Sequence, residues 1–482
     1  MKLRALAWAL AVLPLAACTT VNLDQSLKPV QADLNATGPI AKINLAYSAE
    51  HRAERQKTAE ELLAKPLSQD QALSLAVLNS PQFQALLAEH LRKGNDAAQI
   101  GRIANPVFTF ERVTVQNGSN NELEIGRMLT FGLLDLVSLP MRQGIAKQRL
   151  QDAQLNLHAE VLGHLGKVRK AWVKAVAAKQ HLAYAQQVRE SAEASAELAR
   201  RMQTVGNFNK LDRARQQLFY ADATTRLAVA ELDATASREE LIRLLGLTDE
   251  QATRLHLPDR LPDLPKEPAA PSQLTPTLLE KRLDVQLAKA RLNAAGREQG
   301  LGKIASLTDI ELGLKRDTAY DKADGDVARP RGFELEVRLP IFDWGNLKRE
   351  SLNAQTLAAA NQFDYTVRSA SSHLRQNYAQ YRSRYDIARH YQDEVIPLRK
   401  AISDENLLRY NGMLIGVFEL LADSRDQVAT VIQALTAQEQ FWMAHADLQA
   451  AQWGLPQHLM GSNGGASSIE IGSSAGGASG GH

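Results

Sequence analysis

The chain has 482 residues, enough for two or three ordinary domains or one elongated one. Its 56 basic and 54 acidic residues leave a formal charge of +2, with no basic block interleaved with aromatics, which argues against a nucleic-acid partner. Aromatic residues make up only 5%, low for a large globular core, whereas the abundance of Ala, Leu, Gln, Glu, Lys and Arg suits long helices.

A short basic start, Lys2 and Arg4, precedes an apolar run over residues 5–17. Residues 1–17 read as a secretory signal peptide, too short to span as a mature helix. Leu15-Ala16-Ala17-Cys18 closes it, and Cys18 is the single cysteine. Ala16 and Ala17 leave room for a peptidase, and the spacing resembles the lipobox of bacterial lipoproteins. That resemblance implies that Cys18 becomes the first mature residue and carries lipid. Thr19 follows it where an aspartate would imply retention in the inner membrane, so the implied destination is the outer membrane. The alternative is a plain signal peptide with an incidental cysteine. A lone thiol excludes an internal disulfide and any Cys-rich metal site. After the signal no apolar run is long enough for a transmembrane helix, so a mature chain that crosses a membrane must do so as strands.

Residues 18–66 are mixed and poorly periodic, and predict an extended, lipid-anchored arm. The chain then reads as two copies of one pattern, 67–255 and 274–455, at a period of roughly two hundred residues, too long for a solenoid repeat. Leu67-Ser68 opens the first copy and Leu274-Thr275 the second, each as an N-cap before a helix. Gly101-Arg102-Ile103-Ala104 and Gly302-Lys303-Ile304-Ala305 come next, each before a pair of strand-like runs. A long helix is predicted over 142–203, with a seam at Leu157, Val161, His164, Val168, Ala171, Ala175, Ala178, Leu182 and Ala185. His164 reads as a polar seam residue facing a neighbour or solvent. The companion helix is predicted over 347–409, and helices this long must pack side by side as coiled coil. Short breaks end them, Val205-Gly206-Asn207-Phe208-Asn209 and Asn411-Gly412-Met413-Leu414-Ile415-Gly416. A further helix closes each copy at Leu245-Gly246-Leu247 and Trp453-Gly454. Between the copies, 256–273 carries Pro258, Pro262, Pro265, Pro268 and Pro271, and reads as a stiff linker. The Gly/Ser-rich tail, 456–482, predicts disorder.

Each strand-like run is about ten residues, the length a tilted transmembrane strand needs. Phe333, Leu335, Val337, Leu339 and Ile341 alternate with Glu334, Glu336, Arg338 and Pro340. Thr308, Ile310, Leu312 and Leu314 alternate with Asp309, Glu311, Gly313 and Lys315. Leu123, Ile125, Leu129 and Phe131 alternate less cleanly, with Arg127 intruding on the apolar side, and 107–115 is the weakest run. One apolar and one charged face fit a barrel with lipid outside and water inside. Soluble hairpins with one face on a core are the alternative. In a barrel, 117–121 and 317–331 become external loops. Four strands cannot close a barrel, because an open edge in hydrocarbon leaves backbone groups unsatisfied. The barrel must be shared among subunits.

The order of these parts resembles the TolC-type outer membrane factors over roughly residues 66–455. The opening helix and turn over 68–81, the crossover Leu339-Pro340-Ile341-Phe342-Asp343-Trp344-Gly345, and the two tips over 206–214 and 410–421 carry the resemblance. It implies a mainly α fold with a small β part. Long coiled-coil helices form a periplasmic α-barrel, and four transmembrane strands per chain contribute to a shared trimeric β-barrel of about 12 strands. Gly206 matches the family's tip glycine, whereas Met413 replaces it in the second copy. No Phe-Asp-x-Gly comes after the first hairpin.

Outside its Gly/Ser-rich tail the chain lacks a Gly-x-Ser-x-Gly elbow, it has no His-Glu-x-x-His pair, and its methionines are scattered, so no enzyme, metal site or cofactor is expected. The resemblance implies a homotrimeric export duct that serves an inner-membrane transporter through a periplasmic adaptor protein, embedded in outer-membrane lipid. It places adaptor-binding tips at Gly206, Asn207, Phe208, Asn209, Leu211, Met413, Ile415, Gly416, Val417 and Phe418. Glu419 matches the acid that constricts the family's periplasmic entrance, with Asp212 as its counterpart and Asp423 nearby. In a trimer each becomes a ring of three that attracts cations. The bland alternative for each is a helix-surface acid that caps or pairs locally. The competing function is a structural coiled-coil lipoprotein without a pore. It has no use for four amphipathic strands. The exported substrate is not legible.

Overall fold

The computed structural model describes residues 22–37, 40–117, 120–270, 276–305, 310–321, 327–337, 339, 341–342 and 344–455. The signal, Cys18 and the tail from 456 lie outside the described residues. Two helices, α1 (Leu23–Thr37) and α2 (Ala49–Leu63), stand where an extended arm was expected. Leu23, Leu27, Val30 and Leu34 recur at steps of four and three, which puts them on one face of α1, and that face is buried in the main core. Pro29 inside α1 obscures this short pattern in the sequence.

Helix α3 (Gln69–Asn79) starts at a capping box between Ser68 and Gln71, and α4 (Pro81–Ile100) starts at Ser80 with Pro81 in its first turn. Strands β1 (Val107–Asn117) and β2 (Asn120–Gly132) form a hairpin. Helix α5 (Leu133–Thr204) comes directly after it, 72 residues and roughly 110 Å long. It includes Pro140, which reads as a boundary in the sequence. Arg142 braces this start, donating from Nε to the Ile100 carbonyl at 3.1 Å and pairing with Asp135 at 2.7 Å. Helix α6 (Lys210–Leu245) returns along α5, and the short α7 (Asp249–Thr253) closes the first copy.

The second copy contains α8 (Pro276–Lys281), α9 (Leu283–Ala305), β3 (Ile310–Arg316), β4 (Thr318–Asp321), β5 (Val327–Ala328) and β6 (Arg331–Val337). Helix α10 (Asn346–His390) leads through a π-helical turn, Tyr391–Val395, into α11 (Ile396–Asn411), and α12 (Val417–Trp453) returns. The companion helix expected over 347–409 is therefore interrupted. Pro397 cannot donate a hydrogen bond, and its ring crowds the carbonyl one turn back. The wider turn, in which the Ile396 N–H reaches the Tyr391 carbonyl, accommodates it.

The seam of α5 is buried at Leu157, Val161, His164, Val168, Ala171 and Ala175, and half-buried at Ala178, Leu182 and Ala185. His164 packs against the Phe83 ring at 5.5 Å. Burial, then nearby Lys167, holds its pKa down at about 4. His445 of α12 lies in a polar cluster with Gln449 and Arg169, and burial, then Arg169, lowers it to about 4 as well.

The Pro-rich stretch is neither helix nor strand through residue 270, and it is bonded in place on both copies. Leu257 and Leu261 are buried. Lys179 donates to the Leu257 carbonyl at 2.7 Å, Trp442 Nε1 to that of Pro262 at 3.1 Å, and Tyr385 Oη to that of Pro265 at 3.0 Å. Proline-rich backbone leaves its carbonyls free, and the helices supply the donors.

The sheet is antiparallel. Strand β2 pairs with β1 on one side and with β3 and β4 on the other, in one unbroken register through Met128↔Lys315 and Ile125↔Thr318. Likewise β6 and β5 keep one register against β3 and β4, through Arg316↔Arg331 and Ala319↔Ala328. Between them the Asp317 N–H donates to the Pro330 carbonyl at 3.1 Å. Physically this is a four-stranded sheet whose second hairpin is longer than expected: much of 317–331, read as a loop, continues the strands. The β1 edge and the β5–β6 edge have no partner among the described residues. Among those residues no helix is long and apolar enough to cross a membrane.

The internal duplication is written into the helix ends. Gly246 and Gly454 end α6 and α12 in the left-handed region, at φ +66° and +68°, with the same paired backbone bonds to the preceding turn. Each is clamped by the opening of its own copy. Asn79 donates to the Gly246 carbonyl at 2.9 Å, and the Asp284 N–H to that of Gly454 at 3.0 Å. A Cβ on Gly246 would lie 2.4 Å from Pro81 Cδ and 2.7 Å from Ser80 Cα. Gly246→Ala should therefore cost more than the roughly 1–2 kcal/mol of left-handed strain alone, read as a lower unfolding midpoint in denaturant.

His164 and His445 make stability depend on pH. Their folded pKa values, about 4, lie below the unfolded value near 6.5, so the unfolded chain binds more protons between those limits. Their contribution is complete above pH ~6.5 and falls as pH drops towards 4, at up to about 1.4 kcal/mol per pH unit for each histidine. Melts at pH 7 and pH 5 should show this loss, and His164→Leu with His445→Leu should shrink the difference between the two.

Candidate functional site

The helical tips at the far ends of the two hairpins share one local recipe. In the first, the Gly206 N–H bonds the Gln203 carbonyl at 3.1 Å and the Asn207 N–H that of Met202 at 2.9 Å, with Gly206 at φ +82°. In the second, the Met413 N–H bonds the Tyr410 carbonyl at 3.0 Å and the Leu414 N–H that of Arg409 at 2.8 Å, with Met413 at φ +57°. The same offset relates every position, so Gly206 matches Met413, Asn209 matches Gly416, and Asp212 matches Glu419. Met413 is the one non-glycine at positive φ among the described residues, and its side chain is 94% exposed.

The tips differ in how the second helix starts. Asn209 caps α6, its Oδ1 accepting from the Asp212 N–H at 2.8 Å while its Nδ2 donates to the Asp212 carboxylate at 2.5 Å. Arg215 reaches the same carboxylate at 3.4 Å. Gly416 has no side chain to cap α12, and Glu419 in its first turn is exposed, with no hydrogen bond or ion pair among the described residues.

Phe208 is not an exposed docking group in this chain. It is buried and stacks on Phe418, with ring centroids 4.3 Å apart and planes 24° apart. The tips thus pack on each other within one chain. Higher up, Val188, Ala192 and Ala223 form a small core with Phe219 and Val428, and Arg425 lies over the Phe219 ring at 5.8 Å. The offset that relates the copies sets Phe418 against Leu211, not Phe208, so the duplication gives no hint of this stack. The remaining tip surface is apolar and open. Leu211, Met413 and Leu414 are exposed, as is Val205, while Ile415 and Val417 are half-buried. Asn207, Asn209, Gly206 and Gly416 are exposed, and neither glycine has a neighbour that a Cβ would meet.

The three candidate gate acids are not equivalent. Asp423 is buried and its carboxylate lies 3.3 Å from Arg399 Nη1, which ties α12 to α11 in the same hairpin. Arg399 also donates to the Asp423 carbonyl at 2.9 Å and pairs with Asp426 at 3.3 Å. Asp212 is held by its cap. Only Glu419 of the three presents an uncommitted carboxylate. Sequence reasoning does not reach Arg399, because its link to Asp423 crosses the hairpin and has no local spacing signal.

Residues 274–404 match the family of outer membrane efflux proteins. CusC, solved in a study of folding and transmembrane channel formation, is similar at 16% identity and a TM-score of 0.66, over 83% of this chain and 92% of that one. The outer membrane protein VceC of Vibrio cholerae is similar at 15% identity and a TM-score of 0.66, over 84% and 99%. The outer membrane channel CmeC of Campylobacter jejuni gives 15% identity and 0.65, over 86% and 89%. Among curated protein sequences none matches. The resemblance to the TolC-type outer membrane factors is borne out, and with it the fold class: long helices with a small β part. The outer-membrane location agrees with the family matched.

Met413 offers a direct check on the tip geometry. Left-handed backbone at a side-chain-bearing residue costs roughly 1–2 kcal/mol, part of which glycine returns as unfolded-state entropy. Met413→Gly should raise stability by about 0.5–1 kcal/mol, measured as a shift of the denaturation midpoint.

Proposed function

We propose that three copies of this chain close one β-barrel in the outer membrane and, beneath it, one helical tunnel in the periplasm. The assembly is the exit duct of a tripartite efflux or secretion system. The observation that carries this reading is the four-stranded sheet, with one apolar face and two edges that have no partner among the described residues. In hydrocarbon each unsatisfied edge group costs several kcal/mol, and edge-to-edge pairing between copies removes that cost. Three copies give about 12 strands, within the range of bacterial barrels.

The helices support the same assembly. Leu218 and Leu232, two heptads apart on α6, are exposed in the single chain, as are Leu398, Leu407 and Leu408 on α11. Such faces bury against a neighbouring copy in a coiled-coil wall. In the trimer residues 67–255 and 274–455 form two matching hairpin units per chain, joined by the Pro-rich linker 256–273. Acyl chains on Cys18 anchor the arm to lipid. The duct binds no cofactor and does no chemistry. An inner-membrane transporter supplies the energy, through a periplasmic adaptor that meets the open apolar tip at Leu211, Met413, Leu414 and the two exposed glycines. Glu419 forms the entrance ring.

Purified protein in detergent should be a trimer by mass and should form channels in a planar bilayer. Glu419→Ala should raise single-channel conductance by removing a ring of partly constricting carboxylates. Gly416→Trp should block export in cells while leaving trimer and conductance intact. A stable monomer, or a trimer without channels, overturns the duct.

A further inference from the structure

The strands sort their charges by sign. Side chains alternate between the two faces of a strand, and the unbroken registers fix which residues share a face. One face carries Glu111, Glu124, Glu311, Glu334 and Glu336, with one base, Lys315, paired to Asp317 at 3.3 Å. The opposite face carries Phe108, Leu129, Leu314 and Phe333 in one row, with Leu312 and Leu335 beside them towards the helices. Immediately outward of Phe333, on that same apolar face, the charges are all basic. Arg331 pairs with Arg316 across β6 and β3. The register between Met128↔Lys315 and Ile125↔Thr318 sets Arg316 opposite Arg127. Arg112, opposite Ile125, and Arg329, in line with Thr318, lie in the next row.

All five arginines are exposed, and none has an ion pair or side-chain hydrogen bond among the described residues. Arg127, Arg316 and Arg331 stand side by side on three adjacent strands. Like charges directly opposite one another in a sheet repel. The acids that would relieve them are on the other face. An anion from outside the chain is what the row lacks.

From this placement we infer that the arginine rows form a binding belt for the phosphates of an anionic outer-leaflet lipid, whose acyl chains cover the apolar rows below. The inference rests on the outer-membrane barrel proposed above. Arg331 and Val337 lie six residues apart on β6, roughly 20 Å along the strand, so the apolar rows occupy the side nearer the helices and the arginines the side nearer the hairpin turns. With the helices in the periplasm, that puts the guanidinium groups towards the outer leaflet. Guanidinium is the cation suited to the site, since its planar fork binds phosphate oxygens in pairs. Tyr320 and Val327, further out on the same face, suit the interfacial zone beyond the hydrocarbon. A soluble polyanion would need no adjoining apolar rows, which favours a lipid.

The test uses the full chain purified in a non-ionic detergent, with a fluorescent diphosphorylated lipid A as probe and anisotropy as readout. Binding should saturate and weaken as salt rises from about 0.05 to about 0.5 M. Replacing Arg127, Arg316 and Arg331 together by glutamine should weaken it about tenfold or more. Lysine at the same three positions should recover only part of it, since an ammonium keeps the charge and lacks the planar fork, and Lys315→Gln, on the acidic face, should change nothing. Inorganic phosphate at about 10 mM, present only as a free anion, should not displace the probe. The proposal is overturned if the glutamine variant binds like wild type, if Lys315→Gln weakens binding equally, or if inorganic phosphate displaces the lipid. Trimer mass, melting temperature and conductance are measured on the same samples. A conducting wild-type trimer that does not bind the lipid overturns the belt and leaves the duct standing. A protein that neither trimerises nor conducts overturns the duct.

Discussion

A strand edge carries backbone donors and acceptors that hydrocarbon cannot satisfy, and the rest of this molecule is arranged around that constraint. Among the described residues four strands give one sheet with two open edges, β1 and the β5–β6 pair. A soluble protein blunts such edges with charges or covers them with other elements. Here the edge strand β6 carries exposed Phe333, Leu335 and Val337 on one face, which suits lipid and not water. Edge pairing between copies meets both needs at once. It also accounts for helices that, taken alone, leave apolar heptad positions bare. A chain whose sheet closes only in company can leave its helical wall open for the same company.

The duplication then explains how one chain supplies two walls of that assembly. Both copies end their long hairpins with the same paired hydrogen bonds and the same left-handed residue, although one has Gly206 and the other Met413. Backbone geometry has been kept where side-chain preference has not. The helix starts just beyond the two turns have diverged: Asn209 caps its helix and engages Asp212, whereas Gly416 leaves Glu419 uncommitted. The Phe208–Phe418 stack joins these unlike tips, so a displacement of either hairpin at its end is felt by the other through a packed aromatic contact.

Most of the architecture was legible because it rests on period and order. The heptad seam of α5, the alternation in β6 and the repeated helix breaks are local patterns set by backbone geometry. Features that depend on partners distant in sequence were not legible. Helix α1 is short, contains Pro29, and shows its buried face only once α5 lies beneath it. The strap over 256–270 reads as a free linker until Lys179, Tyr385 and Trp442 reach its carbonyls. Phe208 looks like a docking group because a sequence cannot show that Phe418 covers it. The ion pair of Asp423 was hidden for the same reason, its partner Arg399 being across the hairpin. The π turn before Pro397 is a further case: proline signals a break, and the helix absorbs it by widening.

Arg127 marks where the period-based reading meets its limit most usefully. Along β2 alone it is an intruder on an apolar face, a local fault in an otherwise regular strand. Across the sheet it falls in line with Arg316 and Arg331, so the fault is repeated on two strands of the second hairpin, distant from it in sequence. A single misplaced charge is tolerated by snorkelling towards water. Three in one row, with their acids all on the other face, are a pattern that repulsion opposes unless something anionic lies against them. In the proposed barrel the row, just beyond the last fully apolar row, stands where a lipid bilayer changes from acyl chain to headgroup. In the proposed barrel the sheet's two faces divide the work by sign: a mainly acidic lining inside, a basic rim and apolar band outside.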